Sequence, residues 1–338
     1  MDTHSRTFED KPAIRTGTQI LIGLAGCSGS GKTTSALRLA TGIQKVCGGE
    51  IFVIDTEAKR ALHYADQFKF RHVEFGAPFG PMDYLAAIEH CVKKGAKIIV
   101  VDSASHEHEG PGGVLEMHET EQKRLAEAWK TSMEKVNMSA WQKPKSERRR
   151  LLNSILQMPV NFIFCFRAKE KIDLKGARPL ALGWMPIAGE EFVYEMTVNI
   201  LLYPNGGGIP VWNPNESGEK SMIKLPGQFR QIFSQSQPVS EDIGEALAKW
   251  AAGSPVKVAV PVSSEKKEIS EWLSEMCNKV VPHMKNKWQK ILREQGFEET
   301  LELKNLSGDS LLTLHSVIGK EYQEWKAVES KIELTTNA

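Results

Sequence analysis

Gly26-Cys27-Ser28-Gly29-Ser30-Gly31-Lys32-Thr33-Thr34 fits the phosphate-binding pattern G-x-x-x-x-G-K-[ST]. Ile20-Leu21-Ile22-Gly23-Leu24-Ala25 precedes it as an apolar run of strand length, and Ser35-Ala36-Leu37-Arg38-Leu39-Ala40 follows as a helix start. Strand, loop and helix in that order are the context the motif needs. Glycines let the backbone curl so that its N–H groups point at phosphate oxygens, and the helix N-terminus adds partial positive charge. In this pattern Lys32 reaches the β- and γ-phosphates and the Thr33 hydroxyl holds Mg²⁺. The stretch Gly26 to Thr34 is therefore predicted to bind ATP with Mg²⁺.

Working outward, residues 18–103 alternate apolar runs with helical patterns, which predicts a parallel sheet flanked by helices. Ile51-Phe52-Val53-Ile54 and Ile98-Ile99-Val100-Val101 read as buried strands. Between them, Tyr84, Leu85, Ile88, Cys91 and Val92 recur at helical spacing, and Gly95 ends that helix. One helix is predicted from about Val114 to Val136, then strands over Val160–Phe166, Thr197–Tyr203 and Ile209–Trp212. Ile243, Leu247 and Trp250 predict a closing helix that ends at Gly253. The expected organisation is an N-terminal extension over 1–17, a nucleotide-binding domain over 18–253, a Pro/Val/Ser-rich linker over 254–264 and a small helical domain over 265–330.

Hydrolysis needs a carboxylate for Mg²⁺ and a group that deprotonates or orients water. Asp102 follows four apolar residues at the carboxyl edge of a predicted strand, where ligands of open α/β sheets sit. It is the second metal candidate beside Thr33. Glu57 ends Ile51-Phe52-Val53-Ile54-Asp55-Thr56-Glu57. Local context leaves it open between a base facing the γ-phosphate and a solvent-exposed loop acid.

The same chain carries charge clusters with two readings each. Lys143, Lys145, Arg148, Arg149 and Arg150, beside Trp141, form either a solvated helix face or a contact for single-stranded DNA with a stacking platform. Arg167, Lys169 and Lys171 are either exposed charges or cations offered to a γ-phosphate in the same or a neighbouring subunit. His106-Glu107-His108-Glu109 lacks metal-site spacing and reads as a mobile loop or a subunit contact.

Composition narrows the classes. The chain has 338 residues, 41% hydrophobic and 25% charged, as in ordinary globular proteins of about two domains. A net charge of +1 supplies no global field toward nucleic acid or an anionic membrane, so any such contact is local. The five cysteines show no C-x-x-C spacing and read as reduced thiols. With no membrane-length apolar run and no apolar signal core after Met1-Asp2-Thr3-His4-Ser5-Arg6, the expected location is cytoplasmic, without membrane contact.

Ile54-Asp55-Thr56-Glu57, followed by Ala61-Leu62-His63-Tyr64-Ala65, resembles the second core strand of RecA-type recombinases. Gly31-Lys32-Thr33-Thr34 and Ile99-Val100-Val101-Asp102-Ser103 are similar to RecA signatures at compatible spacing. The segment Ser103-x-x-His106-Glu107-x-Glu109-Gly110-Pro111-Gly112-Gly113 extends the likeness to phage-encoded RecA-like ATPases of the single-strand-annealing type. The resemblance covers residues 18 to about 205. It implies an α/β fold with a RecA-like P-loop NTPase core, a mostly parallel sheet, and Lys32 and Glu57 as catalytic residues. It further implies a homo-oligomer that acts on single-stranded DNA in phage recombination or annealing, in the host cytoplasm and alongside a single-strand-binding protein. The sequence departs from RecA in three places, the first being Phe166-Arg167-Ala168-Lys169-Glu170-Lys171, which stands where RecA has a polar sensing residue leading to its second DNA loop. The insert between Asp102 and Val160 is long and charged, and Phe8-Glu9-Asp10-Lys11 lacks the Phe-x-x-Ala tether that links neighbouring recombinase subunits. A hexameric DNA motor and a KaiC-like nucleotide-gated switch without DNA remain as rival outputs of the same core.

Overall fold

The computed structural model describes residues 10, 12–15, 17–173, 179–233 and 237–254. The chain divides into two compact units, residues 1–257 and 258–338, and every described residue belongs to the first. The predicted helical domain over 265–330 lies outside the described residues, as does most of the linker.

Six strands lie parallel, and apart from the polar edge strand β3 their paired parts are apolar on both sides and need cover on both faces. They are β1 (Leu21–Gly26), β2 (Glu50–Asp55), β3 (Arg71–Glu74), β4 (Ala96–Asp102), the inner half of β5 (Asn161–Asp173) and β7 (Val198–Leu202). The sheet order is β3-β2-β4-β5-β1-β7-β8, where β8 (Pro210–Val211) is antiparallel to β7 and β6 (Leu180–Pro186) pairs antiparallel with the outer part of β5. This is the mostly parallel α/β P-loop core that the RecA resemblance implies. β5 stands between β1 and β4, so Asp102 and the phosphate loop are separated by one strand. The register sets Gly26, the first residue of the phosphate loop, opposite Arg167, and the pairing with β6 begins one residue later at Ala168.

Alternate residues of each buried strand feed opposite layers. Ile22 and Leu24 pack with α1 (Lys32–Cys47) and α9 (Glu241–Ala251), while Leu21 and Ala25 pack with α2 (Pro81–Lys93) and α6 (Gln142–Gln157). The layer between α1 and α9 is thin. A Cβ on Gly42 would strike the Glu241 carbonyl, and one on Gly244 would strike that of Leu39. Short helices complete the fold: α3 (His106–Glu109), α7 (Glu190–Tyr194) and α8 (Ser217–Met222).

Three expectations are corrected. The helix predicted from Val114 to Val136 is two, α4 (Val114–Ala128) and α5 (Met133–Ala140). Lys130 takes a left-handed φ of 48° and turns the chain, so that Val136 and Ala140 fold back onto Leu125 and Ala126. The strand at Val160–Phe166 continues to Asp173, because its charged residues pair with β6 instead of entering a loop. The segment His106–Glu109 is a helix, tied down at both ends as described below, and not a loop. Among the described residues no helix is long and apolar enough to cross a membrane.

Candidate nucleotide site

The phosphate loop leaves β1 at Gly26 and enters α1 at Lys32. Gly29 (φ 79°) and Gly31 (φ 91°) occupy left-handed backbone, where a side chain would be strained. Ser30 is buried, and its hydroxyl donates to the Cys27 carbonyl at 2.9 Å, which closes the loop on itself. Lys32 Nζ donates to the same carbonyl at 2.7 Å. The loop opens into a cavity of about 490 Å³ at the carboxyl edge of the sheet, whose wall includes Lys32, Thr33, Glu57, Asp102, Glu109 and Arg167.

Thr33 Oγ1 donates to Asp102 Oδ2 at 2.6 Å, across the intervening strand β5. Burial pushes the Asp102 carboxyl up to about 6. The Thr33 hydrogen bond and Lys32 oppose that rise, while the Glu57 and Asp55 carboxylates add to it. A hydroxyl and a crowded carboxylate form a hard-oxygen donor pair beside a phosphate loop. That chemistry fits Mg²⁺, which takes one or two protein oxygens and leaves its other positions to water and phosphate.

Glu57 is not a solvated loop acid. Its side chain is 15% exposed and both carboxylate oxygens carry a guanidinium: Arg167 Nε at 2.8 Å from Oε1 and Arg60 Nη1 at 3.1 Å from Oε2. Burial alone would raise its pKa, but the bonds from Arg167 and Arg60 outweigh burial and hold it below the usual glutamate value. The Arg167 backbone N–H donates to Ser105 Oγ at 2.8 Å, and His106 Nδ1 lies 2.8 Å from Thr56 Oγ1, so the start of α3 and the residue before it steady both sides of the Glu57–Arg167 pair. Lys169 and Lys171 are exposed on the outer half of β5 and stand outside the cavity wall of their own chain.

The basic segment does not form one face. Pro144, Arg148, Leu151, Leu152 and Ile155 make up the buried side of α6. Arg148 is 5% exposed and grips Glu107, itself 1% exposed, through two hydrogen bonds of 3.0 and 2.8 Å. Its Nη2 also lies 2.9 Å from His108 Nδ1, and burial followed by the Arg148 charge pushes that imidazole down to about 4. Arg148 is therefore removed from the predicted DNA contact: it is an internal anchor for α3. The exposed cations fall into two stripes, Lys145 with Arg149 and Lys143 with Arg150, by their spacing on the helix. Trp141 is half-buried and stacks on His118 with centroids 4.0 Å apart, so one face of the expected platform is already covered. Among the described residues no cluster of three or more His, Cys, Asp or Glu side chains is placed to hold a metal.

Sequence reasoning missed Arg60 and Asp55, which contact Glu57, His72, which contacts Asp55, and the turn at Gly207–Gly208 that packs on Gly31. Only the period Pro144-Arg148-Leu151-Leu152-Ile155 signalled that Arg148 points inward.

Comparison with known proteins adds one family. Residues 18–197, more than half of the chain, match the AAA domain family. Among solved structures, a KaiC-like protein from the hyperthermophilic archaeon Pyrococcus horikoshii OT3 is similar at 18% identity, over 50% of this chain and 80% of that one, with a TM-score of 0.26. No curated protein matches the chain.

Proposed function

The chain belongs to the AAA domain family, and from that premise we propose that it binds ATP with Mg²⁺ and hydrolyses it to ADP and phosphate. The observation that carries this reading is the convergence of Lys32, the Thr33–Asp102 pair and the Glu57 carboxylate on one cavity. The loop N–H groups and Lys32 bind and orient the β- and γ-phosphates. Thr33 and Asp102 would hold Mg²⁺, which when bound would neutralise charge on the phosphate oxygens. Glu57 takes the proton of the attacking water. Arg60 is mostly exposed, so Oε2 is the oxygen that is released for the proton while Arg167 keeps Oε1 in place. Glu57→Gln keeps this shape but cannot act as a base. It should bind ATP with normal affinity and lose about 10²–10⁴-fold in turnover. Normal hydrolysis by that variant refutes the assignment.

We assign the output to DNA: single-strand annealing or recombination by a homo-oligomer, as the RecA resemblance implies. Lys143, Lys145, Arg149 and Arg150 are the exposed cations that support it. Backbone-only contacts release counterions, so affinity for single strands should fall with salt by a log–log slope of about −0.7 per phosphate neutralised. The deciding assay is the ATPase rate with and without single-stranded DNA. A rate indifferent to DNA favours instead a nucleotide-gated interaction switch, and directional unwinding favours a motor.

A further inference from the structure

We propose that Asp55 is a positioning residue for Glu57: its buried carboxylate ties down the strained turn that aims the Glu57 side chain into the cavity. The proposal rests on the reading of Glu57 as the base. Asp55 is the last residue of β2 and is 1% exposed. Its carboxylate accepts three hydrogen bonds. Oδ1 receives the backbone N–H of Glu57 at 2.7 Å, and Oδ2 receives that of Ala61 at 2.9 Å and His72 Nε2 at 3.1 Å. The two backbone donors bracket Glu57 to Ala61, so one carboxylate pins both ends of the turn.

That turn needs pinning. Ala58 (φ 54°) and Lys59 (φ 68°) are successive non-glycine residues in left-handed backbone, which neither adopts without constraint. Asp55 is itself fixed independently. Its carbonyl accepts the Phe75 N–H at 3.0 Å, and β2 is paired on both sides up to Asp55. Loss of the carboxylate therefore acts on the turn and not on the sheet.

The residue type argues for function as well. Asp55, Glu57 and Asp102 crowd three carboxylates onto one sheet edge, and a purely structural residue would avoid adding charge there. A carboxyl group offers acceptor sites on two oxygens, where an amide offers only one. Asparagine would turn an N–H₂ toward either the Glu57 or the Ala61 N–H.

The test is a double-mutant cycle on the full chain, with Asp55→Asn, Glu57→Gln and both together. The readouts are single-turnover hydrolysis, nucleotide affinity by calorimetry and the thermal midpoint. Asp55→Asn alone should lower the hydrolytic step by about 10²-fold, as displacement of a reacting group by about 1 Å does. Nucleotide affinity should be retained, and the change should be silent in the Glu57→Gln background. Equal losses in both backgrounds, or no loss in either, overturn the proposal. If Glu57→Gln hydrolyses normally, the base reading fails and this proposal falls with it. If Glu57→Gln is inactive and Asp55→Asn is not, only the positioning role fails. Should Asp55→Asn not fold, His72→Phe removes one donor from outside the turn, and the same criteria apply to a smaller, several-fold loss.

Discussion

Replacement of Arg148 by alanine should damage the fold far more than replacement of either neighbouring arginine. The reason is the Glu107 carboxylate, 1% exposed and held by two short bonds from Arg148. Removing one partner of such a pair leaves a buried charge without compensation, which costs about 3–5 kcal/mol. At about 2–4 °C per kcal/mol for a domain of this size, the thermal midpoint should drop by roughly 6–20 °C. Arg149→Ala and Arg150→Ala, on the exposed side, should stay within about 0.5 kcal/mol of wild type. Burial already raises the Glu107 pKa, and the Arg148 bonds oppose that rise. Without Arg148 the rise is larger, so the deficit should be worst at neutral pH and shrink on acidification, as Glu107 takes up a proton in the folded state. The combined change Glu107→Leu with Arg148→Met should recover most of the loss, because apolar residues of similar volume replace buried pairs well. Thermal melts of the four variants across pH supply the check. If Arg148→Ala melts with Arg149→Ala, the inward orientation is wrong and Arg148 returns to the candidate DNA contacts.

Three further outcomes follow from the site and the core. The Asp102 pKa is raised to about 6, so the folded state favours the protonated acid, and the empty site should lose stability as pH rises from about 4 to 6. Mg²⁺ needs the carboxylate, so its affinity in the nucleotide complex should weaken toward tenfold per pH unit below about 6; calorimetric titrations with a flat pH response would refute this. Gly42→Ala places a methyl against the Glu241 carbonyl and should cost about 1–3 kcal/mol in chemical denaturation, while Gly76→Ala, which meets nothing within 4 Å, serves as the neutral control.

The parts legible in the sequence share a physical cause. β1, β2 and β4 are covered on both faces and show as unbroken apolar runs, and the phosphate loop needs glycine where φ is positive. Asp102 was placed by its position after such a run. Charged residues were harder, because a charge run states composition while burial depends on helical phase. Arg148 sits among five cationic positions yet shares a face with Leu151, Leu152 and Ile155. The outer half of β5 is not legible as strand, because its residues are mostly charged and its pairing with β6 runs through backbone groups. The left-handed turns at Lys130 and at Ala58–Lys59 use no glycine, so nothing in the sequence announces them. In the sequence Asp55 reads only as the end of a strand, and its three hydrogen bonds exist only once Glu57, Ala61 and His72 are brought around it.

β5 runs 13 residues without a break, about 40 Å at strand rise. Its inner half is clamped between β1 and β4, its outer half is gripped only by β6, and Arg167 marks the changeover. In mechanical terms it is a lever with its fulcrum at the phosphate loop. A load on the outer arm would reach the Glu57–Arg167 pair along the strand's covalent backbone, which is continuous from the β6-paired half to Arg167. A hydrogen bond of 2.8 Å weakens steeply once stretched past about 3.5 Å. A shift of Arg167 away from Glu57 by less than about 1 Å would thus be enough to weaken that bond.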